Sequence, residues 1–184
     1  MKIIYFTIVS VIFISCRQNT TIPKPNAFLK LEYPVATYKT TTSPIAYQFQ
    51  YSDQANFDVK QNQWGNISYP KLKAEINITY QPVDGNLVEL VRDAEKLTYK
   101  HTIKADGIEV YPFEDIEKKV YARLFTLTGD VASPLQFQVT DSVKNFLYGS
   151  LYFKTVPNYD SVLPAIDYVK KDITHLIESL EWLE

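Results

Sequence analysis

The chain has 184 residues, 46% hydrophobic and 22% charged, a profile that fits a folded globular protein and excludes a disordered one. Lys and Arg total 19 against 21 Asp and Glu, so the net charge of −2 carries no basic excess and no nucleic-acid partner is expected. One cysteine and two histidines exclude an intrachain disulfide and a Cys-rich zinc site, while 14 tyrosines point to a sheet-rich fold with half-buried faces.

Lys2 is the only charge ahead of Cys16, and residues 3–15 form an uncharged, mostly apolar run. A bilayer-spanning helix needs about 20 residues, so this run fits the core of a secretory signal instead. It ends in Phe13-Ile14-Ser15-Cys16, which resembles a bacterial lipobox with Phe13 where leucine is usual. In that motif a small residue precedes a cysteine that receives lipid and becomes the first residue after cleavage. The alternative is an ordinary signal peptide with a chance cysteine. Residues 1–15 are read as the signal, and Cys16 as the carrier of acyl chains such as palmitate. One acyl chain anchors marginally, whereas two or three make detachment slow. Residues 16–27 are polar, contain Pro23 and Pro25, and read as an extended tether. Residues 28–184 read as a single globular domain.

Within the domain, Leu29, Leu31 and Tyr33 alternate with Lys30 and Glu32, a strand ended by Pro34. Tyr47, Phe49 and Tyr51 alternate with Gln48 and Gln50. Ala74, Ile76, Ile78 and Tyr80 alternate with Lys73, Glu75, Asn77 and Thr79, as in an antiparallel sheet with one wet face. Asn86 opens a helix with Glu89 in capping-box position, and Leu87, Leu90, Val91, Ala94 and Leu97 recur at helical spacing. Asp106-Gly107 makes a turn. Residues 108–113 are a short extended stretch broken by Pro112. Residues 120–127 are apolar on both alternating sets apart chiefly from Arg123, which predicts a central strand covered on both faces. After a turn at Gly129-Asp130, Leu135, Phe137 and Val139 alternate with Gln136 and Gln138. Residues 146–153 form an aromatic strand holding Gly149. The last element is a helix capped by Asp160 or Ser161, with Pro164 in its first turn and a stripe of Ile166, Val169, Ile173, Leu176, Ile177 and Leu180. The sum is an α+β fold: a mainly antiparallel sheet of about six or seven strands with a helix on each face. Its topology resembles the Mog1/PsbP-type sandwich, an analogy that carries no function.

The five glycines build no phosphate-cradling loop, and no G-x-S-x-G elbow occurs. The only thiol is the one expected to be acylated, so it cannot be a catalytic nucleophile; no cofactor and no metal are expected. His175 reads as a flanking residue of the last helix. Lys100, His101 and Lys104 stand at a helix C-terminal end, where the dipole favours each cation by about 0.3–1 kcal/mol. Beside that structural role stand a basic patch for an acidic partner and a His101/Asp106 acid–base pair. Asp141-Ser142-Val143 and Asp160-Ser161-Val162 resemble the O-glycosylation site of exported Bacteroidota proteins, which makes Ser142 and Ser161 candidate acceptors. Asp and Ser at these positions equally serve turns and caps.

Several strings carry a family resemblance. They are Tyr99-Lys100-His101-Thr102-Ile103-Lys104-Ala105-Asp106; Ala132-Ser133-Pro134-Leu135-Gln136-Phe137 followed by Thr140-Asp141-Ser142; Phe146-Leu147-Tyr148-Gly149-Ser150-Leu151-Tyr152-Phe153; and Pro23-Lys24-Pro25 after the lipobox. Together they resemble the gliding motility lipoprotein GldD family of the Bacteroidota over nearly the whole chain. The resemblance implies a non-enzymatic envelope lipoprotein needed for gliding and for type IX secretion. Its partners would be other envelope proteins of that machinery, and the membrane through its lipid. No acidic residue follows Cys16 before Glu32. Surface-exported lipoproteins of these bacteria often carry an acidic signal there, so an outer-membrane anchor facing the periplasm is expected.

Two functions follow. The first is an assembly or stabilising factor that docks through the surface near Lys100, His101, Lys104 and Asp106 together with the loop holding Ser133 and Gln136. The alternative is a periplasmic small-ligand or glycan-binding protein or enzyme, which a closed pocket holding His101 beside a carboxylate would favour. If Cys16 carries the anchor, Cys16→Ser releases the protein from membranes on carbonate washing; unchanged membrane fractionation would contradict the lipid assignment.

Overall fold

A computed structural model describes residues 33–43, 45–100, 104–154 and 158–183. The signal, Cys16, the tether, the expected strand ahead of Tyr33, and His101 lie outside the described residues. The fold is α+β, built on one antiparallel seven-stranded sheet with two helices among the described residues.

The sheet is two meanders joined side by side. The first comprises β4 (Asn56–Val59), β5 (Gly65–Tyr69) and β6 (Ala74–Pro82). The second comprises β7 (Gly107–Asp115), β8 (Val120–Thr128), β9 (Leu135–Thr140) and β10 (Asn145–Phe153). Their order is β4-β5-β6-β10-β9-β8-β7, so β10 is the middle strand and pairs along its whole length with β6. Helix α1 (Leu87–Lys100) carries the chain from β6 in the interior to β7 at the far edge. The remaining strands are short. β1 (Tyr38–Thr40) pairs with β3 (Gln50–Ser52), and β11 (Glu181–Trp182) returns after helix α2 (Tyr159–Glu178) to pair with β2 (Tyr47–Gln48).

Several expectations need correction. The strand expected over 47–51 is two pieces on different partners, hinged at the buried Phe49. Pro112 does not break β7, which runs nine residues. β7 is an edge strand, and an edge can spare one donor. β8 is interior but not central, and it is covered on both faces only over Leu124–Leu127; Arg123 is exposed. The strand with both faces buried is β9, where Gln136 and Gln138 are as enclosed as Leu135, Phe137 and Val139. α2 is capped by Asn158, whose Oδ1 accepts from Ser161 N at 3.3 Å, so the helix starts earlier than expected and Pro164 falls in its second turn. In α1 the buried positions are Ala94 and Thr98, while Leu97 is exposed.

The main core gathers Ile67, Ile76, Ile78, Leu124, Phe137, Val139, Leu147 and Leu151 from the sheet with Ile166, Val169, Ile173, Leu176 and Ile177 from α2. Such an apolar stripe gains about 1.5–3 kcal/mol for each large side chain taken from water. At its centre Phe137 fills the space left by Gly149. A Cβ built on Gly149 would stand 2.1 Å from Phe137 Cζ.

One carboxylate is buried beside this core. Asp172 of α2 is 3% exposed and accepts from Tyr38 Oη and Tyr69 Oη, each at 3.1 Å. Burial pushes its pKa up, and the hydrogen bonds from Tyr69 and Tyr38 offset that only in part. Burial, followed by the charge of Asp172, pushes Tyr38 up to about 12. Tyr38 also stacks on His175 at 3.7 Å, and Tyr33 on Tyr168 at 4.7 Å. These contacts fasten the segment entering β1 onto α2.

Gly149→Ala is expected to cost about 1–3 kcal/mol in denaturant unfolding, because the new methyl must displace an aromatic ring in a packed core. Combined with Phe137→Leu, the loss should be less than additive, since the smaller side chain relieves the same clash. Full additivity would contradict the contact.

Candidate functional site

The residues expected to dock a partner divide into an exposed part and a buried part. Lys100 ends α1 and is exposed, as are Lys104 and Asp106 ahead of β7. The backbone here is held to the β8–β9 turn. Asp106 N donates to Thr128 O at 2.9 Å. Gly129 has φ +99°, and a Cβ on it would stand 2.9 Å from Asp106 Oδ2 and 3.0 Å from Lys104 O. Only glycine allows both that conformation and that approach.

Ser133 and Gln136 are both 0% exposed and form no part of a docking surface. Gln136 Oε1 accepts from Thr98 Oγ1 at 2.8 Å and from Tyr148 Oη at 2.6 Å, while Gln136 Nε2 donates to Ser133 O at 3.4 Å. Ser133 Oγ donates to Leu135 O at 3.4 Å. The glutamines alternate like a solvent face, but α1 covers Gln136 and supplies a hydroxyl for it. Thr98, four residues after Ala94 in the helical register, was the available signal for this buried polar pair.

The two D-S-apolar strings are local structure. Asp141 Oδ1 accepts from the amides of Val143, Lys144 and Asn145 at 2.8–2.9 Å, and Asp141 Oδ2 accepts from Asn145 Nδ2 at 2.7 Å. Partial burial pushes the Asp141 carboxyl up, but these hydrogen bonds outweigh it and hold the pKa below the ordinary value. Ser142 sits at φ 68° in that turn and is exposed. Ser161 is also exposed, in the first turn of α2, where its Oγ donates to Asn158 O at 2.9 Å. His175 is half-buried, with Nε2 2.8 Å from Gln50 Oε1, so it bridges α2 to β3.

The feature that periodicity did not reveal is a groove of about 420 Å³ beside α1. Val91 of α1, Tyr121 and Arg123 of β8, Gln138 and Thr140 of β9, and Phe146 of β10 line it. In the strand register Tyr121 faces Thr140, Arg123 faces Gln138 and Phe146 faces Thr140, which sets these side chains on one side of the sheet. Arg123 Nη1 pairs with Glu95 Oε1 of α1 at 2.6 Å. Gln138 is 4% exposed, and its Nε2 is buried with no hydrogen-bond partner. Arg123, interrupting an apolar run, was the only sequence sign of this side.

Among the described residues no group of three or more His, Cys, Asp or Glu is placed to hold a metal ion. No helix of the described residues is long and apolar enough to cross a membrane.

A search among curated proteins returns no match. A family model described as gliding motility lipoprotein GldD matches residues 18–182, from just past Cys16 to the end of β11. The match takes in the whole sheet and both helices, and the chain therefore belongs to the gliding motility lipoprotein GldD family.

Proposed function

We propose that the protein is a non-catalytic assembly or stabilising factor of the gliding machinery and its associated type IX secretion system. On this reading Cys16 anchors it in the cell envelope, at the outer membrane and facing the periplasm. The folded domain then docks onto another envelope protein. The observation that carries the reading is the family match over residues 18–182, which ties the motility association to the folded domain as a whole.

The interior chemistry supports docking over catalysis. The buried carboxylate of Asp172 is held by Tyr38 and Tyr69, and Gln136 is held by Thr98 and Tyr148. Both sets join separate elements of the fold. The exposed cations at the end of α1 are the proposed contact for an acidic partner surface, because charge complementarity steers encounter and fixes register. Gln136, buried and bonded to Thr98 near the end of α1, holds that part of the helix to the sheet, and neither it nor the buried Ser133 touches the partner.

Lys100→Glu combined with Lys104→Glu is expected to abolish colony spreading while protein level and membrane fractionation stay normal. Normal spreading and secretion in that variant would count against this surface.

A further inference from the structure

Residues 33–41 begin the described part of the domain, and they are held there without a core of their own. None of residues 33–40 is buried, and neither apolar cluster takes a side chain from them. β1 pairs with β3 alone, so its second edge has no strand beside it. The fastening is polar and aromatic. Asp53 N donates to Thr37 O at 2.8 Å, and Lys39 Nζ donates to Ala55 O at 3.0 Å. The rings of Tyr33 and Tyr38 lie on Tyr168 and His175 of α2. Between those two rings the segment stands off the helix. Pro34, Val35 and Ala36 on one side and Pro164, Asp167 and Lys171 on the other line a groove of about 450 Å³.

Segments with few buried apolar contacts open at a free energy well below that of global unfolding. One contact here also favours release. Tyr38 and Tyr69 enclose Asp172, which is 3% exposed. Loss of water pushes that carboxyl up in spite of both hydroxyls, so the charged form resists the closed arrangement. Lifting Tyr38 returns water to Asp172, which offsets part of the bonding lost. The fold behind the segment does not depend on it. Ile45, Tyr47 and Phe49, further along the chain, are buried in the main core and stay seated when residues 33–40 leave.

We propose that residues 33–40 form a clasp on α2 that opens and closes while the rest of the domain stays folded, and that its opening lengthens the chain between Cys16 and the domain. Eight extended residues at about 3.3 Å each add up to about 26 Å of reach. The clasp itself stands on the contacts above. Its use rests on the anchor and docking reading, since the added length lets the docking face meet a partner further from the membrane.

The opening is tested on the full lipidated chain in detergent micelles by labelling a buried thiol with a maleimide. Ser52 is 0% exposed and stands directly opposite Tyr38, so Ser52→Cys reports release of the clasp. Val139→Cys, 0% exposed in β9, reports global unfolding. Ser52→Cys is expected to label at least tenfold faster than Val139→Cys. Its rate should change little in mild urea, because a local opening exposes little surface. Adding Tyr38→Ala should accelerate labelling at position 52 by roughly fivefold or more, the effect of one hydrogen bond to a charged group. Equal rates and equal urea dependence at the two positions, or no acceleration by Tyr38→Ala, would overturn the clasp. If Ser52→Cys fails to fold, hydrogen exchange of the unsubstituted chain makes the same comparison between the Asp53 amide, whose acceptor is Thr37 O, and the amides of β10. The use of the opening is tested in cells. Thr37 Oγ1 donates to Asp53 Oδ2, so Thr37→Cys with Asp53→Cys can crosslink the clasp shut. The crosslinked pair is expected to spread at less than half the normal rate. Normal spreading with the crosslink formed, while the Lys100→Glu, Lys104→Glu variant stays immotile, would remove the extension and leave docking standing; normal spreading by both would remove both.

Discussion

Phe137 of β9 occupies space that any side chain at Gly149 of β10 would need. That close approach lies at the middle of the sheet, where the two meanders are joined through β10 and β6. With the ring seated there, Leu135 and Val139 turn with it toward the stripe of α2, because side chains on a strand alternate. Gln136 and Gln138 are then forced to the opposite side. A one-residue slip of β9 would reverse both sets and strip the α2 core of the Phe137 ring. The hydrogen bonds of Gln136 to Thr98 and Tyr148, and the groove floor at Gln138, follow from this single choice of register.

Much of this was legible in the sequence because burial leaves a period. The alternation through Ala74, Ile76 and Ile78 marked β6, and the stripe from Ile166 to Leu180 marked α2 and the turn that follows it, with each of those positions buried. What periodicity could not show depends on partners distant in the chain. Gln136 and Gln138 have the pattern of a wet face, and only the arrival of α1 encloses them. Pro112 looks like a strand break until β7 proves to be an edge. Asp172 looks like an ordinary polar helix position, yet it meets hydroxyls from residues 134 and 103 positions away. The exposed half of the expected docking surface was readable from its charges. The buried half was not, for the same reason as the glutamines.

The functional reading takes its force from where the polar chemistry has gone. Asp172, Gln136 and Asp141 each hold several partners and each fastens one element or turn to another. Asp172 and Tyr168 tie Tyr38 and Tyr33, the part of the described chain nearest in sequence to the proposed anchor, to α2, the longer of the two helices among the described residues. A domain built in this way presents its outer surface, and exposed cations stand at the end of α1 and just beyond it. Membership of the gliding motility lipoprotein GldD family associates that domain with gliding motility.

The most direct measurement of the central claim is quantitative proteomics of membranes from cells lacking this chain, compared with cells in which it is restored. An assembly or stabilising factor predicts that at least one other envelope protein of the motility machinery falls in abundance or leaves its complex when the chain is absent, and recovers on restoration. Motility lost while every component of the machinery stays at its normal level and in its normal complex would contradict the claim.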